Sequence, residues 1–341
     1  MWLHRNTNTK YPAFNKNVER WWVEWPMWVA AGQYNSKGYQ ATQSVIMPDN
    51  GRNRLWTSTT NVGNFSESCD FDEYGYSYFC GGGTIKRDIM TGAQIWATSS
   101  GSTEYVVRVN NDFVYIGTAN ASRKLRKLDL NGNLVWEKSH TASFFRGIDF
   151  DSLGNIYAIG GDYIEKYNPD GTNVFSILET STGAEFYDIK IYGSNIYCAV
   201  AYGATSAKWS NDGAVKVYDL DGNAVKRFGV ELRNRNFFSN YYQTIEVDAN
   251  YVYVVDEDGQ SSQGLDIYGR TSYALTFSQY TDVLTSGAYR ISDLELNEVG
   301  RLVMCDFTGG NIYELSSTFS YVRNWETGYT GVNAIRFKRT Y

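Results

Sequence analysis

An all-β ring of repeated four-stranded antiparallel units is predicted from three features of the 341-residue sequence. The first is a short alternating stretch: apolar, any residue, apolar, then usually Asp or Asn. It occurs as Cys69-Asp-Phe-Asp72, Val107-Arg-Val-Asn110, Ile148-Asp-Phe-Asp151 and Ile189-Lys-Ile-Tyr192. It continues as Ile245-Glu-Val-Asp248, Leu294-Glu-Leu-Asn297 and Ile335-Arg-Phe-Lys338. The copies lie about 44 residues apart on average, the length of one four-stranded blade. The second feature is a hairpin signal typified by "LRKLDLNGNLVWEK" (125–138), in which alternation enters an Asn-Gly turn and leaves it toward a Trp. Turn glycines Gly51, Gly92, Gly132, Gly171, Gly222 and Gly269 mark the copies, and "YELSSTFSYVRNW" is a further, degraded one. The third is a strand lying between these two, as in "DFVYIGT" (112–118), "GNIYAIGG" (154–161) and "YVYVVD" (251–256). Each unit therefore reads strand, turn, strand, loop, strand, turn, strand. The fold expected is a seven-bladed β-propeller.

Each element has a local reason. Alternation with period two puts the apolar residues of the first strand on one face and the residue between them on the other. The hairpin turn needs positive φ, which Gly and Asn adopt most readily. The bulky residue about five positions on (Trp56, Trp96, Trp136, Phe175) is expected to cover a blade edge or fill the gap between blades. The chain ends complement one another. "WVAAGQYN" (28–35), "QATQSVIMPD" (40–49) and "RNRLWTS" (52–58) read as strands two, three and four of a blade. "GVNAIRFKRTY" (331–341) supplies a first strand and stops. Pairing them closes the ring and removes two open sheet edges. The expected organisation is an N-terminal Trp-rich arm, 1–27, and a propeller, 28–341. Its closing blade is 28–58 plus 331–341, with six complete blades within about 66–325.

Composition agrees. Hydrophobic residues make up 43% and charged residues 20%, as in a soluble globular protein with a sizeable core. Aromatics reach 16%, and they favour strands. The net charge of -6 argues against sequence-specific nucleic-acid binding. No apolar run is long enough to span a membrane, and the N-terminus does not read as a secretory signal, so a virion or cytoplasmic location is expected. Cys69, Cys80, Cys198 and Cys305 form no CxxC pair. Cys69 and Cys80 flank a turn and leave one disulfide open, against the simpler reading of buried small hydrophobes.

"RDIMTGAQIW" (87–96) resembles the repeat of quinoprotein-type propellers, and "DSLGNIYAIGGDYIEKYNPDG" (151–171) resembles NHL-type propellers. The resemblance spans nearly the whole chain and implies architecture only. Quinoprotein dehydrogenases of this fold carry adjacent cysteines, and none are adjacent here. No unit matches the Asp-box of sialidase-like propellers. Lactonase-like propellers hold a divalent cation with acids of the inner strands, where Asp70, Asp149, Glu246 and Glu295 lie; the alternative is a wet, polar channel. His4 and His140 make a poor acid–base pair. "DLDGN" (219–223) has part of a calcium loop, but turn chemistry accounts for it. No catalytic, cofactor-binding or metal-binding residue is assigned, no cofactor is expected, and the chain reads as a non-enzyme.

Binding is expected on two faces. Long connections at 201–214, 230–243, 257–264 and 278–290 fall on one face, which commonly marks the binding side of a repeat ring. They carry Trp209, Arg233, Arg235, Phe237, Phe238, Tyr241 and Tyr242, residue types suited to protein or glycan partners. On the other face, Trp21, Trp22, Trp25 and Trp28 belong to a segment too aromatic to be left in water, expected to dock into a partner. The function expected is a non-catalytic structural and interaction propeller. Its narrowest form is a virion component, such as a tail or nozzle protein of a short-tailed bacteriophage, able to form homo-oligomers within a larger assembly. The alternatives are a glycan-binding propeller and a quinoprotein-like or lactonase-like enzyme.

Overall fold

The computed structural model describes residues 28–31, 41–47, 53–60, 68–98, 103–118, 123–141, 145–179, 184–202, 215–229, 241–257, 264–280, 291–297, 300–306, 311–326 and 334–337. The described residues form β-strands joined by turns. The first three strands are β1 (Trp28–Ala31), β2 (Ala41–Met47) and β3 (Asn53–Thr60). Six units of four follow. They are β4 (Ser68–Phe71), β5 (Tyr76–Cys80), β6 (Thr84–Asp88) and β7 (Gln94–Ala97); then β8 (Glu104–Asn110), β9 (Phe113–Thr118), β10 (Lys124–Asp129) and β11 (Leu134–Ser139). Next come β12 (Gly147–Phe150), β13 (Ile156–Gly160), β14 (Tyr163–Tyr167) and β15 (Asn173–Leu178), and β16 (Ala184–Tyr192), β17 (Asn195–Tyr202), β18 (Val215–Asp219) and β19 (Ala224–Phe228). The last two are β20 (Tyr241–Val247), β21 (Tyr251–Glu257), β22 (Gly264–Gly269) and β23 (Leu275–Tyr280), and β24 (Ile291–Leu296), β25 (Leu302–Asp306), β26 (Asn311–Leu315) and β27 (Tyr321–Glu326). β28 (Ala334–Phe337) is the final strand.

β28 pairs antiparallel with β1, Trp28 opposite Phe337 and Ala31 opposite Ala334, in a sheet ordered β28-β1-β2-β3. The two ends of the chain therefore share one blade, as the complementary half-units require. Among the described residues the hydrogen-bonded sheets number six, a correction to the seven separate blades expected. Five have four strands and one has eight. The eight-stranded sheet contains the units β16–β19 and β20–β23, joined by the single pairing of Ala201 with Tyr241. The cause is strand length. β16 has 9 residues and β17 has 8, so β17 reaches far enough to meet the start of β20.

The core lies between successive sheets. Tyr157, Ile159 and Ile164 of one unit pack with Phe186, Ile189, Ile196 and Cys198 of the next. Tyr197, Val215 and Val217 in turn pack with Ile245, Val252 and Val254. None of the four cysteines is in a disulfide, and all four are buried. Cys69 pairs with Phe79 and Cys80 with Ser68, so the two thiols stand one residue out of register and point to opposite faces. Burial pushes the Cys69, Cys198 and Cys305 thiols up, away from the thiolate form.

The hairpin that recurs along the chain is an inter-blade clasp. Its bulky residue does fill the gap between blades. Lys86 and Trp96, opposite one another in β6 and β7, both donate to the carbonyl of Leu130 in the next unit's turn, at 2.8 and 3.0 Å. Lys127 and Trp136 repeat this on Pro169 at 2.8 and 3.2 Å, and Lys166 on Leu220 at 2.8 Å. A β-bulge follows each of these lysines (Lys86/Arg87, Lys127/Leu128, Lys166/Tyr167) and adds the local twist that aims the pair across the gap. Gly171 has φ 83°, and a Cβ there would lie 3.0 Å from Trp136, so backbone and packing both demand glycine. Gly269 departs from the expected pattern. It ends β22, and Tyr273 takes the positive φ of 56° instead; Phe319 does the same in the next unit at 62°. Both are bulky residues in a disfavoured conformation. Each is held by the preceding blade's aromatic residue, Phe228 at 5.2 Å from Tyr273 and Phe277 at 5.4 Å from Phe319.

Candidate functional site, a charge-lined axial channel

On the inner strands β4, β8, β12, β16, β20, β24 and β28 the residue between the two apolar positions of the repeat alternates to the opposite face. The seven residues so placed are Asp70, Arg108, Asp149, Lys190, Glu246, Glu295 and Arg336. Six of them line one cavity of about 550 Å³, and Glu246 accepts a 2.6 Å bond from Lys190. Sequence reasoning picked out the four acids. It missed Arg108, Lys190 and Arg336, whose signal is that they occupy the same register in the repeat.

The cations change the chemistry of the channel. Lys190 also lies 3.6 Å from Glu295. Arg336 pairs with Asp293 and lies 3.6 Å from Glu295. Acids facing a common point would attract a metal ion, but here protein cations already lie among three of them. Among the described residues no group of three or more His, Cys, Asp or Glu is arranged to hold a metal. Burial raises the Asp70 carboxyl above its ordinary value, with Arg108 acting against it. Asp70 and Asp149 also act as straps between blades. Asp70 accepts from the Val109 N–H at 2.8 Å and Asp149 from the Ile191 N–H at 2.6 Å, each on the next inner strand.

The Asp that closes three of the inner strands is a cap. Asp151 accepts from the Leu153 and Asn155 N–H groups at 2.9 and 3.0 Å and from the Tyr157 hydroxyl at 3.0 Å. Asp72 and Asp248 do the same for Tyr78 and Tyr253, both at 2.8 Å. Each turn thus folds on one carboxylate that also satisfies a buried phenol. Asp219 of "DLDGN" accepts from the N–H groups of Asp221 and Asn223 at 3.0 and 2.8 Å, the geometry of a turn.

His140 is buried, with its ring centroid 4.3 Å from that of Phe145 and its Nε2 3.4 Å from Glu165. Glu165 also accepts from Thr141 at 2.7 Å and from Tyr167. Burial pushes the imidazole below its ordinary value, while Glu165 pulls the other way. Below about pH 6.5 the unfolded chain therefore binds a proton that the folded chain resists. Stability is fully present above that pH and falls as pH drops toward the folded value, by about 1.4 kcal/mol per pH unit. His140→Gln is expected to flatten this segment in urea titrations run between about pH 5 and 7.5. A variant that loses stability on acidification as steeply as wild type would remove His140 as the cause.

Trp209, Arg233, Arg235, Phe237 and Phe238 lie outside the described residues, as do Trp21, Trp22, Trp25 and His4. The long connections lie there too, apart from their ends. Tyr241 and Tyr242 open β20, and Trp28 opens β1 opposite Ile46 and Phe337.

The fold and the channel together define a β-propeller. No family of known sequences matches the chain, and no curated protein matches it in sequence. Among solved structures it is similar to the WD40 β-propeller domain of Doa1, with a TM-score of 0.61 and 9% identity over 90% of this chain and 89% of that one. It is similar to BamB from Moraxella catarrhalis, with a TM-score of 0.54 and 14% identity over 89% and 83% of the two chains. A protein of unknown function from Bacteroides caccae gives a TM-score of 0.55 and 12% identity over 92% and 99%. At these identities the likeness concerns the fold alone. No helix among the described residues is long and apolar enough to cross a membrane.

Proposed function

We propose that this propeller is a non-catalytic interaction module that assembles beside copies of itself, with a virion tail or nozzle as the narrowest form of that reading. The observation that carries it is an apolar girdle. Ile95, Val135, Val174, Val225 and Val322 occupy one register on five outer strands, the unpaired residue at the β-bulge, and stay 40 to 51% exposed. Single exposed apolar residues are ordinary on a protein surface. The same β-branched type repeated on four successive outer strands and again on β27, each an open sheet edge, is a surface suited to association. The channel supports the non-catalytic half of the reading. Lys190 and Arg336 sit among Glu246, Glu295 and Asp293, the thiols are buried, and His140 is enclosed.

The test is a triple variant, Val135→Lys, Val174→Lys and Val225→Lys, compared with wild type by light scattering after size exclusion. Wild type is expected to run as a discrete oligomer. The variant is expected to run as a monomer with an unchanged melting midpoint, because these side chains contribute little to the core. A wild-type chain that stays monomeric at micromolar concentration overturns the reading. So does a variant whose assembly is undiminished.

A further inference from the structure

We propose that the axial cavity binds a small zwitterion of the free α-amino acid class, its carboxylate on Arg108 and its ammonium on Asp149. Three observations carry this. The first is the difference among the three channel cations. Lys190 is 2.6 Å from Glu246 and Arg336 is paired with Asp293, whereas Arg108 makes no ion pair among the described residues. Its Nη1 donates to the Ser68 hydroxyl at 2.8 Å and the Val107 carbonyl at 3.0 Å. Those two bonds hold the guanidinium in place and leave Nε and Nη2, a fork of the shape that grips a carboxylate, for another partner.

The second observation is Asp149, on the neighbouring inner strand and lining the same cavity. Its Oδ2 accepts the Ile191 N–H at 2.6 Å, which fixes the carboxylate and leaves Oδ1 to a ligand cation. The third is the charge balance of the walls. Six acids line the cavity, Asp70, Asp72, Glu73, Asp149, Asp151 and Glu295, against three cations, Arg108, Lys190 and Arg336. A simple anion reaching Arg108 meets these acids, and a simple cation reaching Asp149 meets the guanidinium. A ligand carrying both charges can offer its carboxylate to the guanidinium and its ammonium to the acids, so neither end meets only its own sign. The cavity, about 550 Å³, falls in the range of small-molecule sites, and Asn110 and Asn111 in its lining add neutral donors and acceptors.

The experiment is isothermal titration of the full chain with glycine, L-glutamate and L-lysine, with acetate and ethylammonium as single-charge controls. At least one amino acid is expected to bind at 1:1 stoichiometry, and neither control is expected to bind comparably. Arg108→Gln and Asp149→Asn should each weaken that binding by about tenfold or more, the loss of one charge-assisted contact. Silence from all three amino acids at millimolar concentration overturns the proposal, and this result needs no variant to fold. Acetate binding as well as the amino acids, or binding unchanged in Arg108→Gln, overturns it equally. None of these residues lies on the outer girdle, so the outcome is independent of whether the propeller self-associates.

Discussion

Removing residues 331–341 is expected to turn a closed ring into a protein that aggregates and loses its single cooperative unfolding transition. β28 is the innermost strand of the blade that the two chain ends share, and its loss strips β1 of every pairing on one side. The exposed row of backbone N–H and C=O groups is a template for another chain. Ile335, fully buried, also leaves the core, a loss of about 1.5–3 kcal/mol. Asp293 then loses both the Ile335 N–H at 3.0 Å and the Arg336 guanidinium, so a buried carboxylate remains without its main partners. Such an uncompensated charge costs about 3–5 kcal/mol. Light scattering and thermal unfolding of the truncated chain decide the matter. A monomer with an unchanged melting midpoint would show that closure does not depend on β28.

Arg336→Met is the second large effect, expected to destabilise the folded chain by about 3–5 kcal/mol while leaving the backbone pairing of β28 in place. Arg336 is 8% exposed and serves two acids of the preceding blade, Asp293 and Glu295. Burial acts against its charge, yet the pull of these acids holds the guanidinium well above its ordinary value. Burial likewise raises the Asp293 carboxyl, with Arg336 acting in the opposite direction. Without the arginine that carboxyl rises further. A raised folded value means stability present at low pH and lost as pH rises through it. The deficit of the variant should therefore be largest near neutrality and shrink as Asp293 takes up a proton. Urea midpoints at several pH values measure this. Adding Asp293→Asn to the variant should recover much of the loss, because the burden is the unpaired charge and not the missing contact. A deficit independent of pH, with no recovery in the double variant, would place the effect in packing instead.

Much of the architecture was legible because its signals are local. Alternation with period two, glycines at hairpin turns and a repeat near 44 residues all follow from backbone sterics and the length of one blade. Closure was legible in the half-units at the two ends. The separation into sheets was not, because it depends on how far β16 and β17 extend before their ends meet β20. Gly269 misled for a related reason. The turn of that unit is carried by Tyr273, whose positive φ is supported by Phe228 of the neighbouring blade, a contact invisible to local pattern.

The channel shows the same division. The amino-acid sequence determines that every inner strand places one residue opposite its two apolar neighbours, and it names Asp70, Asp149, Glu246 and Glu295 among them. It determines too that a Trp or Phe recurs after each regular hairpin turn. Only the tertiary structure decides what those residues meet, because their partners lie in a neighbouring blade, 33 to 56 residues along the chain. Lys190 reaches Glu246 across 56 residues, Arg336 reaches Asp293 across 43, and Trp136 reaches the Pro169 carbonyl across 33. A run of acids suggesting a cation site becomes, once the ring is closed, a channel in which the protein's own cations stand among the acids. Charge interactions depend on distance in space, and closing the ring is what sets that distance.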